Sequence, residues 1–152
     1  MKVKDIMTQP VITTTEQTSL QEVARMMLEN GIGGIPVIDA SGDLIGIVTE
    51  SDFTATERCL PFSMFRAPQL FGSWLGSDAE ELYARARKIP VSEVMNPNVI
   101  TATEDDSIEK VLELILEHDI NRVPVISDQK PVGIVARRDL LRLMQNQRTR
   151  SK

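Results

Sequence analysis

The sequence predicts a mixed α/β chain of α+β character: two β-α-β-β-α repeats packed with pseudo-two-fold symmetry, plus a mainly helical insert. Three observations carry this. The chain repeats itself, Val3–Ile38 lying over Val91–Ile126 at an offset of 88. Within each copy, short β-branched runs alternate with an amphipathic stretch of helical period. A composition of 41% hydrophobic and 26% charged residues over 152 positions can bury a real interior, which excludes wholesale disorder.

The repeat pairs Met7 with Met95, Val11 with Val99, Thr13 with Thr101, Ser19 with Ser107, Val23 with Val111, Leu28 with Leu116 and Pro36 with Pro124. One residue is lost in a turn, after which Gly46-Ile47-Val48 aligns with Gly133-Ile134-Val135, and Asp52 with Asp139, at an offset of 87. A short β run, Val11–Thr13 or Val99–Thr101, opens each copy. The capping signatures Thr18-x-x-Gln21 and Asp106-x-x-Glu109 then start a helix. Leu20, Val23, Ala24 and Met27 line the first helix and Ile108, Val111, Leu112 and Ile115 the second, with Gly31 as terminator of the first. Two strands follow, Ile35–Ile38 and Leu44–Thr49 around the turn Asp39–Asp43, with Val123–Ile126 and Val132–Ala136 as counterparts. A last helix starts near Ser51 and near Arg138. Halves of roughly 50 residues are marginal alone, so the copies are expected to pack together and leave two equivalent clefts.

The repeats are placed at 1–58 and 91–144, the aromatic-rich insert at 59–90 with a helix near 77–88, and a flexible basic tail at 145–152. Phe53, Phe62, Phe65, Phe71, Trp74 and Tyr83 are all the aromatic residues of the chain, and Pro61, Pro68, Gly72 and Gly76 break up this stretch. They form either a satellite core folded over the module or a recognition patch for a second subunit or a regulated partner. The net charge of −5 and the lack of a Lys/Arg block argue against nucleic acid. The single Cys59 cannot close an intramolecular disulfide, no apolar leader opens the chain, and no run of about 18 apolar residues occurs. The expectation is a soluble cytoplasmic protein without a membrane partner.

The pattern apolar-x-Pro-Val-Ile, turn, Gly-Ile-Val-x-x-x-Asp resembles the CBS domain, named after cystathionine β-synthase. It stands twice, as Ile35-Pro36-Val37-Ile38 with Gly46–Asp52 and as Val123-Pro124-Val125-Ile126 with Gly133–Asp139. The resemblance implies a tandem CBS pair: a regulatory module that binds adenosine-containing ligands of the AMP, ADP and ATP class between its repeats and often forms a homodimer. A carboxylate can accept both hydrogen bonds of a ribose cis-diol, so Asp52 and Asp139 are candidate sugar clamps. The plainer reading is that each only caps the first turn of a helix.

The resemblance further implies two unequal pockets. One joins Asp139 with Thr13, Gly33, Gly34 and Ile35, with Arg122 beside Asn121 as phosphate contacts; a solvated surface arginine is the alternative for Arg122. It departs from the family at Ala136, where a hydroxyl is common. The other joins Asp52 and Thr49 with Thr101, Ile120 and Val123, crowded by Arg122 where the first has Gly34, and is expected to bind less well. His118 is expected to serve neither a metal nor catalysis. No Gly-rich phosphate loop, Cys/His metal set or nucleophile elbow is present, so no catalytic residues and no obligatory cofactor are expected. Two functions remain open: a ligand sensor acting on an unidentified regulated protein, and an oligomerisation module with no nucleotide bound.

Overall fold

The computed structural model describes residues 1–53 and 84–147. Expectations for the aromatic insert, for most of the helix placed near 77–88 and for the end of the basic tail lie outside the described residues; within that helix, residues 84–87 are helical. Among the described residues, two sheets and three long helices make a mixed α/β fold. In chain order these are β1 (Thr14–Thr15), α1 (Leu20–Asn30), β2 (Gly34–Ile38), β3 (Leu44–Thr49), β4 (Ala102–Thr103), α2 (Ile108–His118), β5 (Arg122–Ser127), β6 (Lys130–Ala136) and α3 (Arg137–Gln147). The sheets have the orders β1-β2-β3 and β4-β5-β6, so both copies share one topology. β1 runs parallel to β2 and β4 parallel to β5, each crossover being filled by its helix.

Several boundaries differ from the sequence reading. The opening β run forms at Thr14–Thr15 rather than Val11–Thr13, and at Ala102–Thr103 rather than Val99–Thr101, because only there does the chain meet its parallel partners Val37–Ile38 and Val125–Ile126. The helix caps are Ser19 and Ser107, one residue beyond and one residue beyond Thr18 and Asp106 respectively; their hydroxyls accept the N–H groups of Glu22 (3.3 Å) and Lys110 (3.2 Å). Thr18 instead shares a hydrogen bond with Thr15, and Asp106 accepts the Thr103 N–H at 2.8 Å. Gly31 ends α1 at φ 60°, as expected, while Asp119 takes the same left-handed position after α2 at φ 50°. β6 starts at Lys130, two residues before the expected Val132, because Asp128 and Gln129 both adopt positive φ and make a tight hairpin turn. α3 runs through Gln147, past the boundary drawn at 144.

The described chain divides into two compact units, and the division does not follow the repeats. One unit holds Met1–Ile12, Ser41–Leu44 and the chain from Asn98 onward; the other holds Thr13–Ala40 and Ile45–Pro97. The segment leading into the first repeat therefore packs on the second, and the segment leading into the second packs on the first.

In the unit of the second repeat, Val3 and Met7 join Ala102, Val111, Ile115, Val123, Val125 and Val135 in one core. The Val3 N–H donates to Asp106 O (2.9 Å), and Thr8 and Ile134 exchange backbone hydrogen bonds of 2.9 and 3.2 Å. Lys2 and Lys4 both reach Asp105, whose carboxyl they hold below the ordinary range. In the unit of the first repeat, Val91 and Val94 join Leu20, Val23, Met27, Ile35, Val37 and Val48. The Val91 N–H donates to Thr18 O (2.8 Å), and Ile47 and Asn96 exchange bonds of 3.0 and 2.9 Å. Each fully buried Val contributes about 1.5–3 kcal/mol, so both lead-in segments are integral parts of the cores they enter.

These segments also explain the glycine of Gly-Ile-Val. Met7 lies over Gly133 and Met95 over Gly46, so closely that a Cβ added at either glycine would sit 2.5 Å from the methionine sulfur.

Candidate functional site

The two motif aspartates occupy the same place in their units. In each, the last strand of the sheet turns into a helical segment, and the Asp stands at its third residue. Asp139 Oδ2 accepts the N–H of Ala136 and Asp52 Oδ2 accepts the N–H of Thr49, both at 2.8 Å. This is half of a capping box, in which a third-position carboxylate reaches back to the cap residue's N–H. The capping role is therefore realised at both positions. It uses one oxygen of each carboxylate, and a carboxylate has about four acceptor sites.

The surroundings differ. Asp139 is 7% exposed, and Arg142 Nη1 lies 3.2 Å from its Oδ1. Asp52 is half-buried in a 3-10 turn, Glu50–Phe53, where the Thr49 hydroxyl lies 2.8 Å from Ser51 Oγ and 3.5 Å from Asp52 Oδ2. Ala136 lacks that hydroxyl, yet Asp139 is held equally well, because the backbone N–H does the holding.

A second backbone bond fixes each junction beside the start of the Pro-containing strand. Arg137 N–H donates to Asn121 O at 2.9 Å, and Glu50 N–H donates to Gly33 O at 3.0 Å. The residue before the Pro-containing strand, Asn121 or Gly33, is thus brought next to the junction of its own repeat. In the second-repeat unit, Arg122 is the cross-strand partner of Ala136, and Val123 that of Val135.

The sequence-derived candidates accordingly fall into two sets. Thr101, Ile120, Asn121, Arg122, Val123 and Asp139 lie in one unit, and Thr13, Gly33, Gly34, Ile35, Thr49 and Asp52 in the other. Ile35 and Val123 are fully buried in their cores, so contact with a ligand at these positions would run through the backbone. Gly33 and Gly34 are buried, Thr13, Thr49, Thr101, Ile120 and Arg122 half-buried, and Asn121 exposed.

The sequence reading passed over Glu50 and Ser51, and Arg137 and Arg138, the residues between each cap position and its Asp. The offset of 87 that aligns Asp52 with Asp139 sets Glu50 opposite Arg137 and Ser51 opposite Arg138, and that change of charge was the available signal. Among the described residues no His/Cys/Asp/Glu cluster suits a metal ion, and no helix is long and apolar enough to cross a membrane.

Residues 3–56 and 91–146 match the CBS domain. The chain belongs to the CBS-domain family. Among solved CBS structures, it resembles the CBS domain of a CBS domain containing membrane protein from Sphaerobacter thermophilus, with 41% identity and a TM-score of 0.75, covering 94% of this chain and 87% of that one. It also resembles the CBS domain pair of protein MJ0100 in complex with 5′-methylthioadenosine and S-adenosyl-L-methionine, at 29% identity and a TM-score of 0.72, covering 97% and 98%. The L-aspartate semialdehyde sulfurtransferase of Methanocaldococcus jannaschii is 32% identical over 142 residues. That match takes in 93% of this CBS chain but only 23% of the length of the sulfurtransferase.

Proposed function

We propose that this chain is a regulatory ligand-binding module rather than an enzyme: it takes an adenosine-containing small molecule and passes its occupancy to a partner protein. The observation that carries the reading is the pair of repeat-equivalent carboxylates, Asp139 and Asp52, each pinned by one oxygen at a strand-to-helix junction. A carboxylate held at a fixed place is preorganised, and its two oxygens, with about four acceptor sites between them, suit the two hydroxyls of a ribose. The likeness over almost the whole chain to a CBS pair in complex with two adenosine derivatives supports the ligand class. Thr13, Gly33, Gly34, Ile35, Asn121, Arg122, Thr49, Thr101, Ile120 and Val123 are the proposed further contacts.

The same proposal has the module acting in the cytoplasm as a homodimer. Leu28 and Leu116, equivalent in the repeats, are 84% and 75% exposed, and Leu141 and Met144 are exposed on α3, which gives apolar surface for such contacts. Transmission requires that the ligand bind two conformations of the module with different affinity.

One observation favours a second reading, an oligomerisation module without nucleotide: the Asp139 carboxylate already has partners on both oxygens. Thermal unfolding with AMP, ADP, ATP, S-adenosylmethionine and NAD separates the two. At about 100 times the dissociation constant, a ligand of the folded state adds about 2.7 kcal/mol, which raises the midpoint by several degrees in a chain of this size. Asp139→Ala is expected to remove more of the shift than Asp52→Ala. No shift with any of these compounds overturns the sensor reading.

A further inference from the structure

The two junctions are alike in backbone and opposite in charge. Arg137 and Glu50 hold the same position, each donating its N–H to the carbonyl before the Pro-containing strand, at 2.9 and 3.0 Å. Around Arg137, the second-repeat unit adds Arg138 and Arg122, the latter across the strand pair from Ala136. The equivalent residues in the first-repeat unit are Ser51 and Gly34. Three cationic positions in one unit thus answer to one anionic and two uncharged positions in the other. Among the described residues, none of the side chains of Glu50, Arg122, Arg137 and Arg138 is in an ion pair, so their charges are not neutralised locally. Glu50, Arg137 and Arg138 are exposed and Arg122 is half-buried.

We propose that this charge reversal sorts the ligands, with Glu50 as the specificity-determining residue. The junction of the second repeat takes a phosphorylated adenosine compound, and that of the first takes one whose 5′ substituent is uncharged or cationic. The inference rests on the adenosine reading above and adds the chemical class at each junction. A phosphomonoester carries close to two negative charges at neutral pH, and guanidinium groups suit its oxygens geometrically as well as electrostatically. Beside Glu50 the same group meets like charge, and the aligned positions Ser51 and Gly34 bring no cation. An adenosine with a thioether or sulfonium at C5′ meets no such repulsion.

Calorimetric titration of the full chain with AMP and with 5′-methylthioadenosine tests this. The wild type is expected to bind one equivalent of AMP and, when saturated with AMP, one further equivalent of 5′-methylthioadenosine. Glu50→Arg is expected to raise AMP stoichiometry from one to two, with Glu50→Gln intermediate in affinity. Arg137→Ala combined with Arg138→Ala should weaken AMP by about tenfold or more, the scale of one lost charge-assisted hydrogen bond, and leave 5′-methylthioadenosine unchanged. Added salt should weaken AMP binding only. Two equivalents of AMP on the wild type, or an unchanged AMP stoichiometry in Glu50→Arg, overturns the sorting and leaves the adenosine reading in place. Binding of neither compound overturns both.

Discussion

Replacing Gly133 by Ala tests whether the segment before the first repeat completes the second. The new Cβ would stand 2.5 Å from Met7 Sδ, 3.0 Å from Met7 Cγ and 3.2 Å from the carbonyl oxygen of Thr8. A methionine end can swing, but Met7 is 8% exposed within a packed core, and the Thr8 carbonyl is held by its bond from Ile134. Overpacking of this kind costs about 1–3 kcal/mol, offset by about 0.4–1 kcal/mol from the stiffer unfolded chain. At about 2–4 °C per kcal/mol, the midpoint should fall by a few degrees.

The decisive measurement is the coupling. Met7→Ala alone should cost about 2–5 kcal/mol by opening a cavity. Combined with Gly133→Ala, the added methyl enters the vacated space, and the two effects should fall short of additivity by on the order of 1 kcal/mol. Met7→Ala with Gly46→Ala should be additive within about 0.5 kcal/mol. Met95→Ala should reverse the pattern, coupling to Gly46 and not to Gly133. Urea unfolding of the wild type and the eight variants gives all the terms. Coupling of Met7 to Gly46, or strict additivity with Gly133, would refute the exchanged packing.

Two further perturbations test local features. The Thr103 N–H, and after it Lys110, hold the Asp106 carboxyl below its ordinary value, so its contribution to stability is complete above about pH 4 and is lost as pH falls through the lower folded-state value. Asp106→Asn should therefore cost about 1 kcal/mol at neutral pH and almost nothing near pH 2, read by denaturant unfolding at both; an equal cost at both would contradict the assignment. Gly31→Ala places a side chain at φ 60° and should cost about 1–2 kcal/mol, whereas Asp119→Gly, at φ 50°, should be neutral or stabilising in the same melts.

The repeat, the order of elements within each copy and the long strands were legible because burial leaves its period in the sequence. β2 and β5 carry nearly unbroken buried runs, and those runs mark them. The first strands were misplaced by a few residues because their pairing is set by distant partners, not by the apolar Val11 and Val99. The caps were read one residue early: Thr18 and Asp106 fit the spacing of a capping box, but the hydroxyls of Ser19 and Ser107 are the ones at the helix ends. The exchange of lead-in segments was illegible in principle. Self-similarity at an offset of 88 makes Met7 and Met95 equivalent, and it is the same whether each packs on its own repeat or on the other. At the candidate site, the position of both aspartates was legible, while the group each one holds, a backbone N–H, leaves no mark in residue identity. The reversal from Glu50 to Arg137 was in plain view and needed the structure to show that the two positions coincide.

The exchange has a consequence for how such a chain can change over generations. Each half owes its final hydrophobic plug to the stretch that introduces its twin, so deletion of either copy strips the survivor of a piece it does not encode in the right place. A lone copy would have to fold its own leader back onto itself or borrow one from another molecule. Duplication of this kind is hard to reverse: recombination must move the two together, and grafting one alone into a different gene must carry its twin's leader with it.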